Sequence, residues 1–304
     1  MSSFYTGSGS SCQAGFETSY GTGSTMTDLI NLTSESLKTS VEKGDEGSLL
    51  ASKTAMSRDL LGITVAGDIS FVLRPEFADF IFKASLGKVT EAEGSNTYTL
   101  SGTNEDLPTF AITLDRKAAV KKYTGCTISS LSIDAAANDY VKGTISIQGY
   151  KEETGTLTTL PSYTIPSYRC TSASFKLADK TYDVSSSSFK VDNKLETAPK
   201  TYSAGLYAGQ PQHGQREVTL SMEIPYSAEI ETLRSGYLTT EANGEAELVF
   251  TSTDTTKKVV ITIPNLCITE VTSNVGGSGL ISASVTGMAL SVGNSEPVSV
   301  EVFN

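Results

Sequence analysis

One sequence pattern occurs twice in this chain, and the repetition constrains its fold more than any other feature. AGDISFVLRPEFADFIFKASLG (66–87) and REVTLSMEIPYSAEIETLRSGYL (216–238) both have the pattern of an alternating strand, a proline and a short amphipathic helix. The strand positions lie 151 residues apart, for example from Ile69 to Leu220. Because a helix interrupts the β pattern at the same place twice, the repetition predicts a tandem duplication.

The remainder of each half supports the repeat with one change of offset. TSESLKT (33–39) is similar to SSSSFKV (185–191), 152 positions further on. The final strands, 143–149 and 281–287, match at 138 positions, and the strand before each of them matches at 140. A single insertion of 13 residues after the first helix accounts for the change. The alternative is that alternating strands of any β-rich chain can be aligned in this way.

Composition and strand spacing predict a mainly β fold with minor α. Short runs of Val, Ile, Thr, Tyr and Phe alternate with Gly, Ser, Asn and Asp clusters. The 304 residues, 38% of them hydrophobic, suffice for two modest units. We expect two tandem β-sandwich or partial-barrel units, each with one flanking helix. The predicted division is an N-terminal arm (1–24), a first unit (25–150), an extended linker (151–169) and a second unit (170–304).

Partial barrels have consequences for assembly. Such a unit leaves strand edges open, and open edges recruit further strands. If the second unit of one chain meets the first unit of the next as the two units meet within one chain, the contact is head-to-tail. A head-to-tail contact closes into a ring when its rotation divides a circle.

Two long polar loops, 42–68 and 193–217, occupy corresponding positions in the two halves. Both exceed the usual length of connections in compact domains. Their apolar residues favour ordering against a neighbouring subunit in the adjacent ring, whereas mobile surface loops are the alternative. The candidate inter-ring contact residues are Leu49, Leu50, Met56, Leu60, Leu61, Leu206 and Tyr207.

No catalytic, metal or cofactor motif is recognisable, so we expect no enzyme and no cofactor. The single histidine, His213, lies in a Gly/Gln-rich stretch, and the four widely spaced cysteines fit no zinc pattern. The net charge of −11 argues against nonspecific nucleic-acid binding. Neither a secretion signal nor a membrane span is predicted. The basic run DRKAAVKK (115–122) is either a solvated hairpin tip or a contact for an acidic neighbour.

Five stretches carry a family resemblance that covers most of the chain. They are GFETSYGT (15–22), LTSESLKTSV (32–41), DYVKGTISIQGY (139–150), SSFKVDNKLE (187–196) and VTLSMEIPYS (218–227). On these motifs the chain resembles the tail tube proteins of long, non-contractile-tailed bacteriophages, in a form with a duplicated tube domain. It resembles more loosely the ring-forming tube proteins of contractile injection systems.

The resemblance implies a structural subunit of stacked rings that form the conduit for DNA delivery, with inward-facing sheets joined between subunits. Two units in each chain then imply a trimeric ring with pseudo-six-fold symmetry, or alternatively a hexamer whose second unit lies outside. The expected partners are further copies of the chain and the tail terminator and tail tip proteins. The tape measure protein and DNA would pass through the lumen without specific binding, and no membrane is involved. The expected location is the virion tail, after assembly in the host cytoplasm.

The acidic balance fits a lumen that repels phosphate and keeps a DNA duplex centred. Side chains should alternate along the final strands, and the pattern leaves open which face is inward. The candidate lumen or sheet-face residues are Asp139, Lys142, Thr144, Ser146, Ser282, Ser284 and Thr286.

A different function remains open at this point. The chain could be a non-catalytic carbohydrate-binding or adhesion β-sandwich associated with a virion. Such a module needs clustered exposed aromatic side chains. The candidates are scattered along the sequence, at Tyr98, Tyr163, Tyr168, Tyr202 and Tyr207.

Overall fold

The protein is described by a computed structural model over residues 5–45, 58–102, 105–178, 180–197, 200–202, 205–239, 243–253, 257–273, 280–293 and 295–303. As predicted, these residues form a mainly β fold with two α-helices. All pairings between named strands are antiparallel, and the strands form one connected network.

The two halves share an order of elements, except that the first half has two strands, β3 and β4, where the second has β14, and an additional hairpin, β6–β7, after its helix. The first half contains β1 (Ser11–Phe16), β2 (Asp28–Ile30), β3 (Leu32–Glu35), β4 (Lys38–Asp45), β5 (Arg58–Val72), α1 (Pro75–Leu86), β6 (Gly87–Ala92), β7 (Ser95–Leu100), β8 (Phe110–Asp115), β9 (Val120–Ala136), β10 (Lys142–Gly149) and β11 (Lys151–Thr154). The second half contains β12 (Tyr168–Leu177), β13 (Lys180–Tyr182), β14 (Ser186–Asp192), β15 (Glu217–Pro225), α2 (Ala228–Thr239), β16 (Asn243–Ser252), β17 (Lys258–Ser273), β18 (Ser282–Ala289) and β19 (Ser299–Phe303).

Both predicted helices are present, but they differ in burial. Helix α1 begins at Pro75 and ends before Gly87, whose φ of 98° suits glycine and whose N–H donates to the carbonyl of Lys83. Nine of its twelve residues are buried. Helix α2 begins at Ala228, 153 positions after α1, and Ile230 is the one buried side chain among those described on it. Helix α1 is therefore a core element, whereas α2 covers the surface.

Strand pairing in the second half reproduces that of the first. Pairs β1–β2, β1–β8, β5–β10, β9–β10, β8–β9 and β9–β11 correspond to β12–β13, β12–β16, β15–β18, β17–β18, β16–β17 and β17–β19. The hairpin β6–β7 follows α1 where an insertion was predicted, and its β7 pairs with β19 of the other half.

A β-bulge at the same place in each half gives the most exact correspondence. The ladders skip Ser129 in β9 and Thr269 in β17, which lie 140 positions apart. The Ser129 hydroxyl donates to the carbonyl of Ser146 at 3.0 Å, and the Thr269 hydroxyl donates to that of Thr286 at 3.1 Å. The final strands are thus related by 140 positions, and the predicted value of 138 is corrected by the bulges.

The segments predicted as an arm and a linker contain strands. Ser11–Phe16 of the arm pairs with β8 along its whole length, and Lys151–Thr154 at the start of the linker pairs with β9. Both segments therefore contribute to the sheets. The boundaries between the two units stay predictions.

Candidate assembly surface

One sheet runs without interruption through both halves of the chain. Its strand order is β3/β4, β5, β10, β9, β14, β15, β18, β17. The seam between the halves is the β9–β14 ladder, which extends from Ser186 opposite Ala136 to Asp192 opposite Ser130. At its centre, Phe189 lies opposite Ile133, and both side chains are fully buried. The seam is therefore part of the hydrophobic core, and we expect it to resist opening.

The two ends of this sheet are open edges. At one end, β3 and β4 pair with β5 and with no other described strand. At the other end, Glu270–Ser273 of β17 pairs with β18, and its second side has no strand partner among the described residues. When the strands of the two halves are matched by their pairing partners, β3 and β4, which pair with β5, correspond to β14, which pairs with β15. In the same way, β17, which pairs with β18, corresponds to β9, which pairs with β10. The open edges are thus the counterparts of the two strands that form the seam.

The candidate lumen residues of the last strands lie on one exposed face of this sheet. Lys142, Thr144 and Ser146 alternate with the buried Gly143, Ile145 and Ile147 along β10, and Ser282, Ser284 and Thr286 alternate with Ala283, Val285 and Gly287 along β18. We call this side of the sheet the polar face. Asp139 lies in the turn before β10, and its carboxylate is 2.6 Å from the ammonium of Lys142. This ion pair lowers the pKa of the Asp139 carboxyl.

Short hydroxyl side chains bind the carboxylates of the polar face. Ser188 of β14 donates to Asp134 of β9 at 2.6 Å, across the seam. Ser282 donates to Glu223 at 2.8 Å, between β18 and β15. Such cross-strand bonds hold the carboxylates close to the sheet. The charged residues of the face include Glu42, Asp68, Asp134, Asp192, Glu217, Glu223 and Glu270, against Lys38, Lys142 and Lys190.

The loop 193–217 lies against the first half of its own chain. The Leu206 carbonyl accepts a hydrogen bond from the Ile63 N–H at 2.8 Å. The Tyr207 ring centroid is 5.0 Å from that of Tyr150. These contacts attach Leu206 and Tyr207 to the first half of the same chain. An inter-ring contact by Leu206 and Tyr207 stays a prediction.

In the first half, the described residues of the corresponding region 42–68 belong to the paired strands β4 and β5. Most described side chains of β4 are exposed, and Leu60 and Leu61 of β5 are 40% and 56% exposed. A two-stranded hairpin with exposed apolar side chains gains stability from a partner. Leu49, Leu50 and Met56, the other predicted contact residues, lie outside the described residues.

Two polar anchors of the loop 193–217 escaped sequence reasoning. The amide nitrogen of Asn193 donates to the carbonyls of Ser85 and Ile128, and Arg216 donates to the carbonyl of Leu86. Ser85 and Leu86 end α1, so residues from the second half cap carbonyls that a helix leaves without a partner. Burial lowers the pKa of Arg216 to about 10. The only sequence signal for these two contacts was the position of Asn193 and Arg216, polar residues at the two ends of a long loop.

No group of three or more described His, Cys, Asp or Glu residues is arranged to hold a metal ion. Burial raises the pKa of the Cys12 and Cys126 thiols, which makes them unreactive. His213 of the loop 193–217 contacts the carbonyl of Glu105, which lies between β7 and β8 of the first half, at 3.0 Å. In the described part of the chain, no helix has the length and apolar character needed to span a membrane.

The tyrosines considered for carbohydrate binding do not form an exposed cluster. Tyr98 and Tyr168 are buried in the core, and Tyr163 and Tyr207 are partly buried. Tyr202 alone of the five presents its whole ring to solvent.

The fold defines a mainly β protein whose large antiparallel sheet ends in open strand edges, on which further strands can pair. The sequence profile of the phage tail tube proteins matches residues 7–289. The chain therefore belongs to the phage tail tube protein family, whose members are structural components of the virion tail and assemble into a tube with other tail proteins. No curated protein matches the sequence.

Proposed function

We propose that this protein is the ring-forming subunit of a phage tail tube and that the stacked rings are the conduit for DNA delivery. The observation that carries the proposal is the β9–β14 seam together with the two open edges that correspond to it. A second copy that adds its β3–β4 edge to β17 would repeat, between chains, the contact that exists within one chain.

The tandem duplication predicted from the sequence would supply the register of this contact. The β14 strand lies 152 positions after its counterpart in the first half, and β17 lies 140 positions after β9. Within the chain, Phe189 pairs with Ile133. The counterpart of Phe189 in the first half is residue 37 (189 − 152), and the counterpart of Ile133 in the second half is residue 273 (133 + 140). In the contact between two chains, Leu37 of one copy would therefore pair with Ser273 of the other. Leu37, like Phe189, is fully buried, which supports the equivalence.

Three chains close the ring in this proposal. Each chain contributes two units, so three chains place six units around the axis, with pseudo-six-fold symmetry. Both units contribute equivalent strands to the same continuous sheet, and this favours a trimer over a hexamer with external second units.

The polar face becomes the lumen wall. Its core-facing side is already covered, and its exposed side carries Ser, Thr and more carboxylates than ammonium groups. Carboxylates repel phosphate within the screening distance of about 8–10 Å, and hydroxyl side chains bound to neighbouring carboxylates offer DNA or the tape measure protein few free donors. DNA would therefore pass without specific binding.

The exposed hairpin β4–β5 would contact the adjacent ring. Leu60 and Leu61 provide apolar surface that stacking would bury. At the tube ends, the same surfaces would meet the tail terminator and tail tip proteins, with assembly taking place in the host cytoplasm.

The mass and symmetry of particles in solution test the ring. With a chain mass of 32.1 kDa, a trimer has three times that mass, and we expect mass photometry to detect it and negative-stain class averages to show pseudo-six-fold rings or hollow tubes. A ring of six chains would favour the alternative arrangement. Monomers at every concentration and salt condition would contradict the proposal.

A further inference from the structure

Leu37 lies on the open edge between β3 and β4, 152 positions before Phe189 of the seam. Asn193, four residues after Phe189, donates its backbone N–H to Ser129 of β9 at 2.9 Å. Alternate residues of a strand point their backbone groups to the same side, so the N–H and C=O of Phe189 face β9. On the open edge, the N–H of Ser36 bonds to Asp68 of β5 at 2.9 Å. The N–H and C=O of the next residue, Leu37, therefore face away from β5, toward the missing strand.

Both of these backbone groups are occupied by one ion pair. The carboxylate of Glu35 accepts the Leu37 N–H at 3.0 Å. The guanidinium of Arg116 donates to the Leu37 carbonyl at 2.6 Å and binds both oxygens of Glu35 at 2.8 Å. Arg116 also donates to the hydroxyl of Tyr123 at 3.1 Å, which holds the guanidinium in place. Bidentate charge-assisted contacts of this kind are stronger than neutral hydrogen bonds.

The seam lacks this arrangement. Ser187 lies 152 positions after Glu35, opposite Met222 as Glu35 lies opposite Ile69. A serine hydroxyl has no charge and a single oxygen, so it cannot bind a guanidinium through two oxygens as Glu35 does. The Glu35–Arg116 pair is therefore present on the open β3–β4 edge, and its carboxylate is absent from the corresponding strand of the seam, β14.

We propose that the Glu35–Arg116 pair is an assembly latch, which covers the β3–β4 edge of the free subunit and must release Leu37 before a second copy of this chain pairs there. The Leu37 N–H has one proton, so it bonds either to Glu35 or to the carbonyl of an incoming strand. The latch thus raises the concentration at which rings form and protects the free edge from unspecific strand pairing. The proposal rests on the ring proposed above.

Glu35 makes the Arg116 pair tighter than an ordinary surface ion pair. The Glu35 side chain is 19% exposed, and its hydrogen bonds raise the pKa of the Arg116 guanidinium. Breaking the hydrogen bonds from Glu35 and Arg116 to Leu37 therefore costs free energy at each interface that forms. Losing a charge-assisted hydrogen bond of a partly exposed pair corresponds to roughly a tenfold change in the association constant.

The test compares two matched variants of the full chain. Glu35→Ser copies the residue of the seam, and Glu247→Ser removes the carboxylate of the Lys176–Glu247 pair, 3.2 Å long and on a different strand pair. We expect Glu35→Ser to lower the ring-forming concentration about tenfold and Glu247→Ser to leave it unchanged. Hydrogen exchange at the Leu37 amide of the monomer should become faster in Glu35→Ser alone.

Each outcome has a separate meaning. Rings that form at the same or a higher concentration in Glu35→Ser would overturn the latch and leave the ring intact. If no variant and no wild-type sample forms rings, the ring and the latch both fail. Should Glu35→Ser not fold, Glu35→Gln keeps the side-chain length but removes the charge, and it should shift the threshold in the same direction by a smaller factor.

Discussion

Replacing Asn193 with alanine tests how the two halves of the chain are held together. The side-chain amide of Asn193 is buried and donates to the Ser85 carbonyl at 3.1 Å and to the Ile128 carbonyl at 2.9 Å. The first carbonyl belongs to the end of α1 and the second to β9. Asn193→Ala therefore removes, in one step, the donors that join the start of the loop 193–217 to two elements of the other half.

The expected loss follows from the number of groups left without a partner. Each buried carbonyl that loses its donor costs about 1–2 kcal/mol. The Oδ1 atom of Asn193 has no hydrogen-bond partner among the described residues, and removing it returns about 1 kcal/mol of desolvation. The net expectation is a decrease of about 2 kcal/mol in the free energy of unfolding.

Urea unfolding followed by circular dichroism measures this difference. Asn265→Ala is the control, because Asn265 is partly exposed and its side chain makes no hydrogen bond in the described part of the chain. The control should change the unfolding free energy by less than about 0.5 kcal/mol. A similarly small effect for Asn193→Ala would refute the inference that its amide joins the two halves.

Two further predictions concern stacking and pH. The double variant Leu60→Gln/Leu61→Gln should form rings that no longer stack into tubes in negative-stain images. The control Leu157→Gln replaces another exposed leucine, of 44% exposure, and should stack normally. Tubes formed by the double variant would contradict the inter-ring role of Leu60 and Leu61. The hydrogen bond from Lys121 lowers the pKa of Glu152, so this carboxylate stabilises the fold above its unfolded-state pKa and loses that contribution as the pH falls through its folded-state pKa. Thermal unfolding of wild type and Glu152→Gln should therefore converge between roughly pH 5 and pH 3, with a difference below about 1 kcal/mol at neutral pH, and a constant difference across this range would contradict the assignment.

Local patterns predicted α1 and the strand before it because the relevant signals lie within a few residues. Pro75 begins the helix, Phe77 and Phe80 lie on its buried face, and Gly87 ends it with a positive φ. The same reasoning recognised the insertion after α1. It did not reveal that this insertion is a hairpin paired with β19, because that pairing joins residues about 200 positions apart and depends on how the halves pack.

The offset of the last strands shows a second limit of sequence reasoning. A bulge adds one residue to a strand without changing its alternating pattern on either side. The bulges at Ser129 and Thr269 are therefore invisible in the pattern, and without them as markers the final strands were aligned two residues away from the true offset of 140. Two residues is one full period of a strand, so the wrong alignment still matched buried with buried positions.

The sequence predicted which residues share the polar face but not which side chains contact each other across the fold. The alternation along β10 and β18 identified which residues share a face, and their exposure agrees with it. The apolar content of the second loop indicated a binding surface for Leu206 and Tyr207, but the ring that Tyr207 contacts belongs to Tyr150, a residue with no local relation to the loop. The pairing of Arg116 with Glu35 likewise depends on the fold; from the sequence, the basic run 115–122 was either a solvated hairpin tip or a contact for an acidic neighbour.

A cysteine pair across the proposed interface tests the central claim most directly. The register that pairs Leu37 with Ser273 also places Lys38 opposite Thr272, in a pair without mutual backbone hydrogen bonds, where Cα atoms lie about 4.5 Å apart and a disulfide fits. Lys190 and Ser132 are the equivalent pair within the chain and provide the positive control. The account predicts that mild oxidation of Lys38→Cys/Thr272→Cys gives a closed covalent trimer, while Ser40→Cys/Thr272→Cys, two residues out of register, stays largely uncrosslinked. Failure of the Lys38/Thr272 pair to crosslink, when the Lys190/Ser132 pair does so within one chain, would contradict the account.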